Sequence, residues 1–262
     1  MNYFVRLATT LILSAFLSLT TLAQTNHKDF VQHVYDSVAA LYIQTESGGM
    51  DMKCTATAYE KLADLSGYRF VSASHCVEGK TDKEQKAQKY YITLDESGEK
   101  TFYRAILIET GDKTIGDDFS IFEVKATKVF AISPLGNSSI VKVGDKVINI
   151  SSPLGLGKQY FEGYVSNLHL DRPPLNAGEV KWTDVMLIEI GGGPGSSGSA
   201  IISEEQHAIV GFVVGTTGAN VGLVILPADK FIAFEKAVKA GTYRKSKKSD
   251  ENLGSGSDSA QQ

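Results

Sequence analysis

Cysteine is scarce in this chain of 262 residues, which contains only Cys54 and Cys76. Two cysteines exclude a disulfide-dense scaffold and a four-cysteine zinc site. Long apolar runs are also scarce: the one stretch apolar enough to enter a membrane lies at the N-terminus, which excludes a protein with several membrane spans. Positive charge is not in excess, because 26 basic and 30 acidic residues give a net charge of −4. No global basic field therefore exists to hold nucleic acid.

The two ends differ in composition from the middle. Residues 1–23 are typical of a secretory signal peptide, with Arg6 before an apolar run and small residues before Gln24. This pattern predicts an exported protein with no stable membrane insertion after cleavage. An uncleaved anchor helix is the alternative, since the run is near the short limit for a membrane span. Residues 243–262 carry a basic run followed by Ser, Gly, Asp and Gln, and we expect a disordered tail there.

Short apolar runs alternate with turn residues through the middle of the chain. Residues 24–37 form a lead-in segment whose apolar spacing favours a short helix, and a propeptide is an alternative role for it. Strands are predicted at 38–45, 54–59, 68–73, 89–94, 101–109, 119–124, 146–150, 160–168, 184–190, 200–203, 208–214 and 221–226. Strands separated by turns rather than by long helices predict an all-β sandwich or barrel protein. One amphipathic helix is predicted near the end, at Asp229–Ala240.

Two residues at the ends of predicted strands are candidates for a general base and its partner. His75 follows a strand, where its ring can project into a cleft. Asp118 immediately precedes a strand, where a buried carboxylate can bond to a His ring nitrogen and fix its tautomer. The ordinary alternatives are a hydrogen-bonded structural His and a turn Asp. Asp117 is the rival for the orienting role, and Asp118 is favoured because the apolar strand starts directly after it.

A glycine-rich run at residues 191–200 is the third and most specific motif. A nucleophilic Ser needs a sharp, uncrowded turn, and Ser197 lies in such a run. The backbone N–H groups of Ser197 and of Gly195 can converge there on one oxygen, which is the geometry of an oxyanion hole. A flexible linker is the alternative. The apolar strands on both sides of the run argue against a linker.

The order of the three residues is more informative than any one of them. His75, Asp118 and Ser197 follow one another in the order His, Asp, Ser, which is the chymotrypsin order and not that of subtilisin or the α/β-hydrolases. Residues 71–76 resemble the His motif of trypsin-like proteases. Similarity to the HtrA (DegP-type) branch of that superfamily lies at residues 143–157, 163–166, 188–200 and 222–227, so the resemblance covers about residues 30–240.

This resemblance implies a fold and an activity. The fold would be two packed six-stranded antiparallel β-barrels, at 38–134 and 135–242, with the final helix in the second unit and the active site between the barrels. The activity would be that of an exported serine endopeptidase acting through an acyl-enzyme. His75 would be the general base, Asp118 its orienting partner and Ser197 the nucleophile, with oxyanion donors on Gly195 and Ser197.

The chain departs from the family pattern in three places, one of which is Ser199, which stands where a second Gly commonly follows the nucleophile and where a small residue is expected to fit. About 20 residues follow the final helix, too few for the PDZ domain that HtrA proteins usually carry, so regulation through such a domain is not expected. Ser196 stands where trypsin-like zymogens have the Asp that pairs with a freed N-terminus. Activation by that ion pair is therefore not expected either.

The resemblance also implies a disulfide between Cys54 and Cys76, which would pin the His75 loop to the neighbouring strand. Two free buried thiols are the alternative. The other histidines have no ligand spacing, so we expect no metal and no cofactor; they are His27, His33, His169 and His207.

Substrate preference follows from the glycines before the nucleophile. In trypsin-like pockets the residue six before the nucleophile lies at the base, and that position is Gly191. Val213, Val214 and Gly215 are expected to form one wall and to pair with an extended peptide, with a second wall around 220–222. Such a pocket is uncharged, so we predict cleavage after small or medium apolar residues such as Val, Ala, Ile or Leu.

Three alternatives to this interpretation stay open. Loop insertions could place Glu189, or another acid, near the pocket mouth, where it would select basic residues. A catalytically inactive protein of the same fold that binds peptides is the second alternative. An esterase is the third, although the motif order and the lack of a strand-to-helix nucleophile elbow count against it. The expected partners are polypeptide substrates if the protein is a protease. They are peptide ligands if it is the inactive peptide-binding protein.

Overall fold

The computed structural model describes residues 27–64, 66–77, 79, 81–94, 100–126, 130–172, 182–217 and 222–245. The expected signal peptide, residues 24–26 of the lead-in segment, residues 246–262 of the expected tail, and residues 220 and 221 of the expected pocket wall lie outside these ranges. In the ranges described, no helix has both the length and the apolar character needed to cross a membrane.

The first half of the chain forms a closed barrel of six strands. Helix α1, residues 27–37, leads into it. The strands follow one another around the barrel in the order β1-β2-β3-β6-β5-β4, and all neighbours are antiparallel. Their bounds are β1 Val38–Gln44, β2 Met50–Lys61, β3 Gly67–Ser72, β4 Tyr90–Thr93, β5 Tyr103–Thr110 and β6 Ser120–Lys125. A short helix, α2 Asp82–Ala87, lies between β3 and β4.

The second half forms another closed barrel with the same connectivity. Its order is β7-β8-β9-β12-β11-β10, again antiparallel throughout. The bounds are β7 Lys146–Ser151, β8 Gln159–Arg172, β9 Trp182–Glu189, β10 Ala200–Ser203, β11 Ala208–Thr216 and β12 Leu223–Pro227. Helix α3, Ala228–Lys239, follows the last strand. The prediction of two six-stranded barrels with a C-terminal helix is confirmed.

Each barrel is filled by its own apolar cluster, and a third cluster lies between them. Phe70 and Phe122 are central to the first barrel, and Ile188 to the second. The third cluster combines residues of both barrels with the apolar face of α3; among its largest members are Phe119, Ile148, Ile150, Phe212, Phe231 and Phe234. Full burial of one such side chain stabilises the fold by about 1.5–3 kcal/mol, so this shared cluster fixes the barrels relative to each other.

Candidate active site

His75 and Asp118 form a directly bonded pair beside the end of β3 and the start of β6. His75 lies in a 3₁₀ turn, Ser74–Cys76, just after β3, and Asp118 lies two residues before β6. The Nδ1 atom of His75 is 2.6 Å from Oδ2 of Asp118. A carboxylate can only accept, so the proton is on Nδ1 and the lone pair of Nε2 remains available as a base.

Three donors hold the carboxylate of Asp118, which is only 1% exposed. Besides His75 Nδ1, the backbone N–H of His75 donates to Oδ1 at 2.9 Å and the hydroxyl of Ser74 donates to it at 2.7 Å. Burial by itself would raise the pKa of Asp118, but these hydrogen bonds and the charge of His75 hold that pKa below its ordinary value. Asp118 is therefore ionised at neutral pH. Its neighbour Asp117, whose pKa is raised by burial, bonds instead to Tyr243 at 3.2 Å.

The turn at residues 193–199, which we call the Ser197 turn, presents two backbone donors that have no hydrogen-bond partner among the described residues. Ser196 N–H donates to the carbonyl of Gly193 at 2.9 Å, and Gly195 within this turn has a φ of +97°, a conformation that favours glycine. Among the described residues, the N–H groups of Gly195 and of Ser197 make no hydrogen bond, whereas those of Ser196, Gly198 and Ser199 all do. Two unpaired donors on alternate residues are what an oxyanion hole requires.

The orientation of the Gly195 N–H is fixed from the second barrel. The carbonyl of Pro194 accepts the N–H of Leu154 at 2.7 Å. In a trans peptide the C=O and the N–H point in opposite directions, so the Gly195 N–H points away from Leu154. The side chain of Ser196, in the position of the zymogen Asp, is fully buried and accepts the N–H of Gly193 at 3.1 Å.

Contacts with the first barrel hold Ser197 close to the segment that contains His75. The backbone N–H of Thr55, on β2, donates to the carbonyl of Ser197 at 3.0 Å. The hydroxyl of Thr55 donates to the carbonyl of Gly195 at 2.8 Å. Gly198 lies directly against the end of β3: a Cβ there would lie 2.3 Å from Ser72 Oγ and 2.7 Å from the backbone nitrogen of Ala73. Thr55 is a site residue that the sequence patterns did not predict.

Within the part of the chain that the structure describes, Ser197 Oγ makes no hydrogen bond to His75. Ser197 is half-buried, and the backbone N–H groups of the residues on both sides of it are hydrogen-bonded. Catalytic hydrogen bonds are often long in substrate-free enzymes and tighten when substrate binds. The structure thus joins His75 to Asp118 and places the Ser197 turn beside them.

Cys54 and Cys76 form a disulfide that links the two sides of this site. Their Cα atoms are 6.1 Å apart and they are separated by 22 residues. Cys76 directly follows His75, and Cys54 directly precedes Thr55, which bonds to the Ser197 turn. The expected disulfide is therefore present, and the two sulfurs close to the His75 ring are not thiolates that could ligate a metal.

A second cluster of potential ligands is already neutralised by a cation. His27, Glu162 and Glu204 lie close together, but Lys146 Nζ is 3.1 Å from Glu162 and 2.9 Å from Glu204. The ammonium group therefore occupies the place between the carboxylates that a metal ion would need.

A cavity of about 580 Å³ opens beside the Ser197 turn. Its lining includes the expected Gly191, the glycines and the proline that follow it, Ile190, Thr216, Gly222 and Leu223, together with the carboxylates of Glu162 and Glu189. The side chains of Glu162 and Glu189 are both exposed. Glu162 is bonded to Lys146 and to the hydroxyl of Tyr160.

Among the described residues of β11, the one that lines this cavity is Thr216. Val213 and Val214 are almost completely buried. The carbonyl of Val213 accepts the N–H of Gly198 at 2.7 Å and its N–H donates to the carbonyl of Ser199 at 2.9 Å. Both main-chain groups of Val213 thus bond to the Ser197 turn, and pairing of this strand with an extended peptide stays a prediction.

Comparison with known proteins shows similarity in sequence and in fold. A family model described as a trypsin-like peptidase domain matches residues 62–212. The chain is 32% identical over 164 residues to a probable periplasmic serine endoprotease DegP-like of Buchnera aphidicola subsp. Baizongia pistaciae; this match covers 62% of the chain but only 31% of that relative. The crystal structure of Deg5 superposes with a TM-score of 0.63 at 16% identity, covering 84% of this chain and 98% of the other, which is a likeness of fold.

Proposed function

The chain belongs to the trypsin-like peptidase family, whose model matches more than half of it, and on that premise we propose that it is a serine endopeptidase. Its triad is His75, Asp118 and Ser197, and its substrates are polypeptides. The observation that carries this proposal is the 2.6 Å contact between His75 Nδ1 and the buried Asp118 carboxylate. That contact leaves Nε2 as the free base in the cleft beside the Ser197 turn.

The chemistry follows from these positions. Ser197 Oγ attacks the carbonyl carbon of the scissile bond while His75 Nε2 takes the hydroxyl proton. The negative charge that develops on the carbonyl oxygen is stabilised by the N–H groups of Gly195 and Ser197, which have no other partner among the described residues. The imidazolium is stabilised by Asp118 and returns its proton to the leaving amine. Water then cleaves the acyl-enzyme by the same route in reverse.

The test of this activity is covalent labelling followed by kinetics. A fluorophosphonate probe should label the wild-type protein and not Ser197→Ala or His75→Ala. In peptide hydrolysis, each of these two variants should lower kcat by a factor of about 10⁶, because nucleophile and base act as a unit. An unlabelled wild-type protein that still binds peptides would support the inactive peptide-binding alternative. Hydrolysis of esters without hydrolysis of peptides would support the esterase.

For substrate preference, the proposal is cleavage after small or medium apolar residues. Gly191 and the two glycines after it carry no charge, and Leu223 is apolar. A Lys or Arg side chain at the glycine-lined end of the cavity would lose its hydration and gain no charged partner there. Glu189 is exposed at the same cavity, so a basic side chain could instead reach that carboxylate.

A peptide-library profile of the wild-type protein and of Glu189→Gln distinguishes the two preferences. We expect Val, Ala, Ile or Leu before the scissile bond in both proteins, with changes of one methylene costing about 1–3 kcal/mol. A preference for Lys or Arg that disappears in Glu189→Gln would show that the carboxylate, not the glycine-lined end, selects the substrate.

Export is the last part of the proposal. The predicted signal peptide at 1–23, the Cys54–Cys76 disulfide and the name of the DegP-like relative, which describes it as periplasmic, support it. Expression of the full chain in a bacterium, followed by fractionation and intact mass measurement, tests it. The expected product lies outside the cytoplasm and begins at Gln24; a full-length product in the membrane fraction would support the anchor alternative.

A further inference from the structure

Both sequence neighbours of Asp118 contact the C-terminal part of the chain. Phe119 stacks its ring on Phe234 of α3, with the centroids 5.8 Å apart. Asp117 accepts a hydrogen bond from the hydroxyl of Tyr243, which follows α3, at 3.2 Å. The residue that orients His75 is thus held on either side by groups that come after the second barrel.

The side chain of Tyr243 also contacts Asp112 and Phe234. Its hydroxyl accepts the backbone N–H of Asp112 at 2.8 Å, and its ring meets Phe234 edge to face with the centroids 4.7 Å apart. Residues 111–117, which we call the Asp loop, connect β5 to Asp118. Because the hydroxyl bonds to Asp112 and to Asp117, it joins the beginning of the Asp loop to its end.

The Asp loop has little freedom to absorb a displacement. The N–H of Asp117 donates to the carbonyl of Asp112 at 3.1 Å, and the N–H of Gly111 donates to the carbonyl of Phe119 at 2.7 Å. A Cβ on Gly111 would lie 2.0 Å from the carbonyl oxygen of Asp117. A shift at Asp117 is therefore passed to the next residue, Asp118.

We infer that Tyr243 is a positioning residue for catalysis: its hydroxyl holds the Asp loop so that Asp118 keeps both carboxylate oxygens on His75. This inference rests on the triad assigned in the proposed function. The two bonds from Asp118 to His75, at 2.6 and 2.9 Å, fix the direction of the ring. A misplacement of about 1 Å at a catalytic group can lower the rate about a hundredfold.

Tyr59 provides a matched control. Its hydroxyl donates to Glu235 of α3 at 3.0 Å, so it also joins the first barrel to the C-terminal helix through one tyrosine hydroxyl. In the part of the chain that the structure describes, its hydroxyl makes no hydrogen bond to the Asp loop. Replacement of either tyrosine by Phe removes one hydroxyl and keeps the ring, which packs on Phe231 in the case of Tyr59 and on Phe234 in the case of Tyr243.

The first measurement is peptide hydrolysis, with the folded fraction taken from urea unfolding curves. For Tyr243→Phe we expect kcat to fall about tenfold with KM unchanged, because the loss concerns the direction of the base and not substrate binding. For Tyr59→Phe we expect the wild-type kcat, whatever its loss of stability. Equal effects of the two substitutions on kcat would overturn the inference.

The second measurement does not require activity. In a Ser197→Ala background, the proton on His75 Nδ1 should give a low-field NMR resonance, assigned by its absence in a further His75→Gln substitution. We expect Tyr243→Phe to shift or broaden this resonance and Tyr59→Phe to leave it in place. An unmoved resonance in Tyr243→Phe overturns the inference even if kcat falls. If the wild-type protein is not labelled by the fluorophosphonate, the proposed function fails, and this resonance still tests the contact of Tyr243 with the Asp loop.

Discussion

Asp118 contacts His75 twice, once at the ring through Oδ2 and once at the backbone N–H through Oδ1, at 2.6 and 2.9 Å. The double contact fixes both the position and the tautomer of the imidazole. Asp117, the adjacent acidic residue, faces the other way and bonds to Tyr243. The choice between two neighbouring carboxylates is thus made by the direction in which each side chain leaves the backbone.

The first prediction concerns these two carboxylates. Asp118→Asn should lower kcat for peptide hydrolysis by about 10⁴, because an amide cannot accept from all three donors and favours the wrong tautomer of His75. Asp117→Asn should leave kcat within about threefold of wild type, since the amide oxygen can still accept from Tyr243. The reverse result, with Asp117→Asn the inactive variant, would contradict the triad assignment.

The fold was largely predictable because most strands contain a short apolar or alternating run and lie between turn residues. The resemblance to a known family then supplied the barrel count. Helix α2 was missed, because Asp82–Ala87 is polar on all sides and has no apolar stripe. A signal was present: Thr81 and Glu84 form a capping box, in which each side chain bonds to the backbone of the other.

The site was predictable only where the residue types are chemically unusual. His75, Asp118 and Ser197 were proposed from their order, and Gly195 from its place before Ser197. Thr55 was not found, because a Thr in an alternating strand ordinarily faces solvent, whereas here it is fully buried against the second barrel. Tyr243 was not found, because it stands at the start of a segment whose composition predicts a disordered tail.

The second prediction uses the opposite pKa shifts of the two carboxylates. The pKa of Asp118 is lowered in the folded protein, so its contribution to stability is present above its unfolded pKa of about 4 and is lost as the pH falls through the lower folded pKa. The pKa of Asp117 is raised by burial, so its charge destabilises the fold at neutral pH, and this cost disappears as the pH falls through the raised folded pKa.

Urea unfolding of the wild type and of both Asn variants at several pH values measures these contributions. At neutral pH, Asp118→Asn should be less stable than wild type and Asp117→Asn more stable. Both differences should shrink on acidification, and that of Asp117→Asn should shrink first, at the higher pH. Differences that have the same sign, or that do not change with pH, would show that these shifts are misassigned.

The third prediction concerns Gly198, directly after the nucleophile. Gly198→Ala should lower kcat at least about a hundredfold and destabilise the fold. Gly198 has a φ of +82°, and the new Cβ would lie 2.5 Å from the carbonyl oxygen of Thr55 and 2.7 Å from the backbone nitrogen of Ala73. These are backbone atoms of the segments that hold Ser197 and His75, so relief of the clash must separate the two catalytic residues.

Gly144→Ala is the matched control, measured by the same kinetics and by urea unfolding. Gly144 has a φ of +92° with nothing within 4 Å of the new Cβ. It should cost about 1–2 kcal/mol of stability from backbone strain alone and leave kcat unchanged. If both variants lose activity alike, the left-handed backbone and not the close approach of Gly198 to the first barrel is what matters.

The fourth prediction concerns the Cys54–Cys76 disulfide. Reduction, or the paired substitution of both cysteines by Ala, should lower the free energy of unfolding by about 3 kcal/mol, because a loop of 22 residues is no longer closed in the unfolded chain. The disulfide also joins the residue after His75 to the residue before Thr55, and Thr55 bonds to the Ser197 turn. Loss of the disulfide should therefore lower kcat and leave KM nearly unchanged.

Urea unfolding with and without reductant measures the change in the free energy of unfolding, and the cysteine-free variant controls for other effects of the reductant. Peptide hydrolysis, corrected for the folded fraction, measures kcat. Unchanged unfolding in the cysteine-free variant would contradict the entropic argument, and unchanged kcat would show that Thr55 and the strand pairing of β2 with β3 hold the site without help.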